Sequence, residues 1–349
     1  MKTLLLFFLF FCCFSCNNDS SNDIHQIFDP NILYYSNISE NTAHLAFPSL
    51  TANEDKSKII AIYRKAATHL SYDGMLIQKE SVDKGVTWSK PKEIYTPPLG
   101  SDARDPQLLF LGNDSILCRF FERYDENNAT LKFMLSSDMG NTYHLLNDFP
   151  MPDKSVHFLA ARGNMINLEN NIYSTCYDKW SNSWLIKSTD KGLSWEIVNS
   201  FTQSFAKSSN SEDLNPINES SLSYNKNGDL ILVGRSDDEK AKMQLGVSSD
   251  LGKTWQWKRL PYEGQAPSLT KYGENFILTY RSVDKDRYRF NVALLTNTLE
   301  LTISKPLFYS ETFDMGYGDA ILFPTYFMVC CYIPEYSIRY FKISYDLFN

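Results

Sequence analysis

Short, mostly apolar runs recur along this chain: Ile59–Ile62, Ile116–Phe120, Ile172–Tyr177, Leu230–Val233, Phe276–Tyr280 and Phe327–Cys331, with starts 46 to 58 residues apart. Runs this short, rich in Ile, Val, Leu and aromatics, suit buried strands rather than packed helices. A polar turn precedes most of them: Asn113-Asp114, Asn170-Asn171, Asn227-Gly228 and Gly273-Glu274. Ahead of each run stands an opening that ends on an apolar anchor: Phe47–Leu50, Asp105–Leu108, Gly163–Ile166, Glu219–Leu222, Ala266–Leu269 and Gly318–Ile321. Each opening with its run predicts a β-hairpin.

A second pattern runs in phase with the first. Ser81–Trp88, Ser136–Tyr143, Ser188–Trp195 and Ser248–Trp255 each read Ser-x-Asp-x-Gly-x-Ser/Thr-aromatic, and Asp83, Asp138, Asp190 and Asp250 lie 52 to 60 residues apart. The chemistry is that of a tight turn: Asp caps backbone N–H groups just ahead, Gly takes a positive φ, and the aromatic tucks into the core. These four carboxylates are therefore structural. A fifth copy is eroded around Thr296-Asn297. Six hairpin units at this spacing predict an all-β protein, a six-bladed β-propeller of four-stranded antiparallel blades, with Tyr340–Ile343 sharing a blade with the N-terminal strand.

Composition narrows the function classes. The 349 residues carry a formal net charge of −7 and 14% aromatics, which excludes a disordered chain and sets nucleic-acid binding aside. Residues 1–15 hold one charge, Lys2, and an apolar run from Leu4 to Phe11 that is too short to span a bilayer. The run leads to Phe14-Ser15-Cys16 and then the polar stretch Asn17–Asp23. This resembles a bacterial lipoprotein signal, with 1–15 removed, Cys16 lipidated, 16–27 a tether and 28–349 the propeller. The expectation is an exported protein anchored to a membrane through its lipid, periplasmic or at the cell surface. Cys118, Cys176, Cys330 and Cys331 form no metal-ligand spacing and sit in strand-like runs, so buried thiols are expected, and neither a metal nor a cofactor.

Propeller geometry sorts the remaining candidates. If the first strand of each blade starts at the top face, that face collects the starts of first strands, the ends of second strands and the loops after them. Arg104, Asp105, Arg162, Glu219 and Tyr317 stand at first-strand starts; Arg64, Arg235 and Arg281 end second strands; His69, Asp73 and Arg289 follow. A funnel of Arg with a few carboxylates, a Tyr and a His suits an acidic sugar, because guanidinium forks grip carboxylates and the other groups transfer protons.

These residues carry a resemblance to the bacterial sialidase (neuraminidase) superfamily, over nearly all of the mature chain. The four Asp turns resemble its Asp-box. Asn218-Glu219, followed by Asn227–Leu230 and Arg235, is similar to the family segment bearing the catalytic Glu and one Arg of a carboxylate-binding triad. Arg289 followed by Gly316-Tyr317 is similar to the third triad Arg and the nucleophilic Tyr, and Asp105-Pro106 to an Asp-Pro that lines the pocket. The resemblance implies a glycan substrate and exo-cleavage of a terminal acidic sugar, sialic acid first, with Tyr attacking and Glu as its base. Two positions depart from it. Ala46-Phe47-Pro48 occupies the place of the first triad Arg, for which Arg64 and then Arg104 are the candidate replacements. The loop expected to hold an acidic proton donor offers His69 and Asp73. The alternatives are a hydrolase or lyase for a different acidic glycan, or a glycan-binding propeller without turnover.

Overall fold

The computed structural model describes residues 24–26, 29–202, 214–236, 238, 241–284, 287–334 and 337–349. The signal segment and Cys16 lie outside the described residues. Six antiparallel sheets follow one another around a ring, each wound from the inside outward in chain order. The innermost strands are His44–Ala52, Asp102–Gly112, Ile166–Leu168, Ser220–Tyr224, Gln265–Tyr272 and Gly316–Leu322, for blades one to six. Blade six takes its outer strand from Ile32–Glu40, which pairs with Ser337–Ser344 and so closes the ring with the start of the chain. Ile24–Gln26, in the stretch read as tether, pairs with Phe308–Ser310 as a fifth strand of blade five. The four described cysteines are free and buried.

The Asp turns bind blade to blade. In the second, Ser136 Oγ donates to Asp138 Oδ1 at 2.8 Å, Gly140 N donates to Ser136 Oγ at 2.9 Å, and Thr142 N to Asp138 Oδ1 at 2.8 Å. The other three repeat this network. Each turn glycine lies flat on the preceding blade: a Cβ would fall 2.6 Å from Ile60 at Gly140, 2.8 Å from Leu117 at Gly192 and 2.0 Å from Leu185 at Gly252. The repeat thus seals the interblade cores at the bottom face, where apolar side chains from adjacent sheets interlock.

Polar side chains close the centre. Ser49 Oγ donates to Asp319 Oδ2 at 2.8 Å, Gln107 Nε2 to Asn164 Oδ1 at 3.1 Å, and the backbone of Leu269 to Ser221 Oγ at 2.9 Å. Just above this ring the inner strands bulge. The register shifts between Ala46 and Ser49, Arg104 and Gln107, Gln265 and Ser268, and Gly316 and Asp319. The first bulged residue in each case has positive φ: Phe47 56°, Asp105 50°, Ala266 51° and Tyr317 53°. This corrects the sequence alignment of blade six by one residue, so that Ala320 rather than Ile321 is its anchor. Tyr317 consequently falls in line with Phe47 and Asp105, pointing to the top of the ring.

Candidate active site

Left-handed backbone at a Phe, an Asp and a Tyr is strained, and something must hold it. Arg162 does so. The residue is 1% exposed and its guanidinium reaches backbone carbonyls of three blades. Nη2 donates to the carbonyls of Tyr317 at 3.0 Å, Gly318 at 3.2 Å and Pro48 at 3.4 Å, and Nη1 to Pro106 O at 3.5 Å. The expectation that Arg162 contacts substrate is corrected: both of its terminal nitrogens are engaged by the bulges of three blades. It is a brace beneath the site.

On that brace stands a cluster of hydrogen-bonded titratable groups. Tyr317 Oη donates to Glu219 Oε1 at 2.9 Å, and Arg235 Nη1 donates to Glu219 Oε2 at 3.1 Å and reaches Tyr317 Oη at 3.5 Å. Asn218 Oδ1 receives Arg235 Nε at 3.0 Å, which aims the guanidinium at the pair. Burial first, and then the negative charge of Glu219, push the Tyr317 phenol up, while Arg235 and Arg281 oppose the rise. Tyr317 therefore rests protonated, with its proton already directed at a carboxylate.

Arg64, Arg235 and Arg281 occupy equivalent second-strand positions of blades one, four and five, opposite Ala46, beside Asn218 and opposite Gln265. Local partners separate their fates. Arg281 donates to Gln265 Oε1 and to the carbonyls of Phe313 and Met315, and its guanidinium lies 5.6 Å from the Tyr317 ring. Arg64 faces an alanine and turns instead to blade two. Its Nε and Nη2 form a fork on Asp102 at 2.7 and 2.9 Å, fully buried, above Gly74, where a Cβ would fall 1.8 Å from Asp102 Oδ1. Arg64 is thus corrected from the leading replacement for the missing Arg to a structural ion pair.

Arg104 remains. Nη1 bonds Asp102 Oδ2 at 3.0 Å and His69 O at 2.7 Å, its plane covers Phe47 at 4.9 Å, and its charge reaches Tyr317. The third-Arg assignment also changes. Arg289 pairs with Ser282 and Arg281 with Phe290, which puts Arg289 and Arg281 on opposite faces of the blade. The Arg281 face meets Gly316 and Tyr317. Asp73 is corrected too: its carboxylate is exposed and accepts the backbone N–H of Ala67 at 3.1 and 3.2 Å, bracing a loop.

Asp105 is buried, and its Oδ1 has no hydrogen-bond partner among the described residues. Burial pushes its carboxyl up to about 6, with Glu219 adding to the rise and Arg104 opposing it. His69 lies across the Phe47 ring from Tyr317: ring centroids are 5.6 Å apart for His69–Phe47 and 5.0 Å for Phe47–Tyr317. Sequence reasoning passed over Asp314, which accepts from both His69 and His44, and Asp102, which holds Arg64 and Arg104. The one signal for Asp102 was its alternation with Arg104 along a strand. Asp314 lies in a loop outside either repeat.

No protein-family model matches the chain, and no curated protein matches it. Among solved structures, a protein of unknown function from Dyadobacter fermentans superposes with a TM-score of 0.74 at 21% identity, over 93% of this chain and 100% of that one. The Hadza microbial sialidase Hz136 gives 0.66 at 16% identity, over 87% of this chain and 66% of that one. Trypanosoma rangeli sialidase, solved in complex with sialic acid, gives 0.62 at 14%, over 87% of this chain and 55% of that one. The chain thus spans the whole length of the first and roughly two-thirds and half of the two sialidases. At these identities the likeness is one of fold: a six-bladed β-propeller of the kind found in sialidases.

Proposed function

We propose that this protein is a glycosidase that removes a terminal acidic sugar, sialic acid first among candidates, from glycans. The observation that carries this reading is the 2.9 Å hydrogen bond from Tyr317 to Glu219, set between Arg235 and Arg281. Glu219 takes the phenolic proton as Tyr317 bonds to the anomeric carbon, so that a neutral group approaches a carbon bearing a carboxylate. Arg104 and Arg235 grip that carboxylate, and Arg281 adds its positive field. A panel of sialylated and uronic-acid glycans incubated with the protein, read by mass spectrometry for released monosaccharide, tests the activity. Absence of any released sugar, saturated or unsaturated, overturns it.

Arg104 is the replacement for the charge missing at Ala46. Arg104→Ala is expected to weaken binding of 2-deoxy-2,3-unsaturated sialic acid by roughly tenfold or more, the worth of one charge-assisted bond. Unchanged binding in a calorimetric titration counts against that role. One observation favours a second substrate. Phe47 and Arg104 fill the side of the pocket where the sialidase resemblance expects an Arg. A different acidic sugar, cleaved by hydrolysis or elimination, is the reading to adopt if the wild type does not bind the sialic-acid analogue.

The sequence also supports a lipid anchor at Cys16, placing the enzyme outside the cytoplasm on a membrane. Cys16→Ala is expected to move the protein to the soluble fraction. Retention of the variant in membranes, with no lipid label on the wild type, removes the anchor from the proposal.

A further inference from the structure

Two imidazoles share one carboxylate at the rim of the site. His69 Nδ1 and His44 Nε2 each lie 2.8 Å from an oxygen of Asp314, and Arg64 Nη1 lies 3.3 Å from His44 Nδ1. The chemistry of the partners sets the directions of these bonds. A guanidinium only donates, so His44 Nδ1 accepts and its proton sits on Nε2, facing Asp314. Burial opposes ionisation of Asp314, but the two imidazole hydrogen bonds hold its carboxyl well below the usual range. As a carboxylate it only accepts, so His69 also presents N–H at Nδ1. That leaves His69 Nε2 without a hydrogen bond among the described residues, on a ring that is about a quarter exposed.

The same directions argue against a metal ion among the three side chains, close as their ligand atoms are. A metal on His44 Nε2 would place the ring proton on Nδ1, pointing at the Arg64 N–H.

We propose that His69 Nε2 is the proton donor and acceptor for the leaving oxygen, with Asp314 as the residue that positions it and His44, held by Arg64, as the lock on Asp314. The proposal rests on the glycosidase reading above. In the first half-reaction the glycosidic C–O bond breaks and its oxygen takes the Nε2 proton of the His69 imidazolium. The Tyr317 oxygen bonds to the anomeric carbon, and the phenolic proton moves to Glu219. In the second, water bonds to that carbon, neutral His69 takes a water proton, and the Tyr317–carbon bond breaks as Glu219 returns its proton. Every group ends as it began.

The titratable and charged groups facing His69 are Asp314 from the loop before blade six, His44 from blade one and Arg104 from blade two, with Arg64 behind His44. Burial and Arg104 lower the His69 pKa, and Asp314 raises it. The donor form is the protonated one, so turnover falls as pH rises through that pKa. Asp314→Asn removes the partner that favours the imidazolium, and the basic limb of kcat/KM shifts to lower pH.

The test uses the full chain. His69→Ala is expected to lose roughly a hundredfold on a substrate with a sugar leaving group, and only a few-fold on the 4-nitrophenyl glycoside, whose leaving group departs without a proton. Equal losses on both overturn the proposal, since a merely structural role affects both alike. Nitrogen-15 NMR of the imidazoles reads the dyad without turnover: His69 is expected to keep its proton on Nδ1 and to titrate lower in Asp314→Asn. A neutral His69 that carries its proton on Nε2 instead of Nδ1, or a titration that ignores Asp314→Asn, overturns it even where the glycosidase reading has failed for lack of a released sugar.

Discussion

Tyr317→Phe is expected to cut turnover by roughly a hundredfold or more while the protein stays folded. The substitution removes one oxygen, the atom proposed to attack, and leaves the ring packed against Phe47 at 5.0 Å and Tyr332 at 5.8 Å. The carbonyl that Arg162 grips belongs to the backbone and is unchanged. Glu219→Gln is expected to cost a similar factor, because an amide cannot take the phenolic proton, whereas Arg235 keeps its bond to Asn218. The control lies on the opposite face: Asp138→Ala loses the caps on Thr142 and Ser136 and lowers thermal stability, with turnover per folded molecule retained. Equal loss from Asp138→Ala and Tyr317→Phe at matched folded fraction would contradict the assignment of chemistry to the top and scaffolding to the bottom.

The second large effect is on stability. Arg64→Ala leaves Asp102 buried with only Arg104 beside it, and removal of one member of a buried, doubly hydrogen-bonded pair costs about 3–5 kcal/mol. The loss extends further, because Arg64 also donates to the carbonyls of Thr68 and Ser71 and so ties down the loop that presents His69. A fall of that size in denaturant-derived unfolding free energy is the expected result. A variant as stable as the wild type but defective in binding would return Arg64 to the role of a substrate ligand.

The propeller was readable because its physics repeats. Every blade solves the same burial problem with the same hairpin, and each Asp turn must fit a flat glycine against the blade before it, so the pattern recurs in the residues themselves. Tyr317, Glu219 and Arg235 were readable for the same reason, since they stand at repeated positions whose face is set by strand order. What escaped was decided between blades. Whether Arg64 or Arg281 turns toward the pocket depends on what lies opposite, an alanine or a glutamine, and on whether a neighbouring blade offers a carboxylate over a glycine. The bulge that brings Tyr317 into line with Phe47 and Asp105 is a matter of one residue in register, which residue spacing alone did not resolve. Asp314 lies in a non-repeating loop, and its importance arises from the two imidazoles that meet there from blade one.

The brace at Arg162 makes the site contingent on the order of assembly. One guanidinium from the third unit holds carbonyls of the first, second and sixth, so the strained backbone of Tyr317 is held by no single blade but by four units together. The sixth unit is itself incomplete until Ile32–Glu40, which precedes the first blade, returns to its outer edge. During folding, individual blades can gain their hairpins one by one, but the brace at Tyr317 is complete only when the first, second, third and sixth units have met. The geometry around Tyr317 is therefore a property of the assembled ring rather than of any one blade.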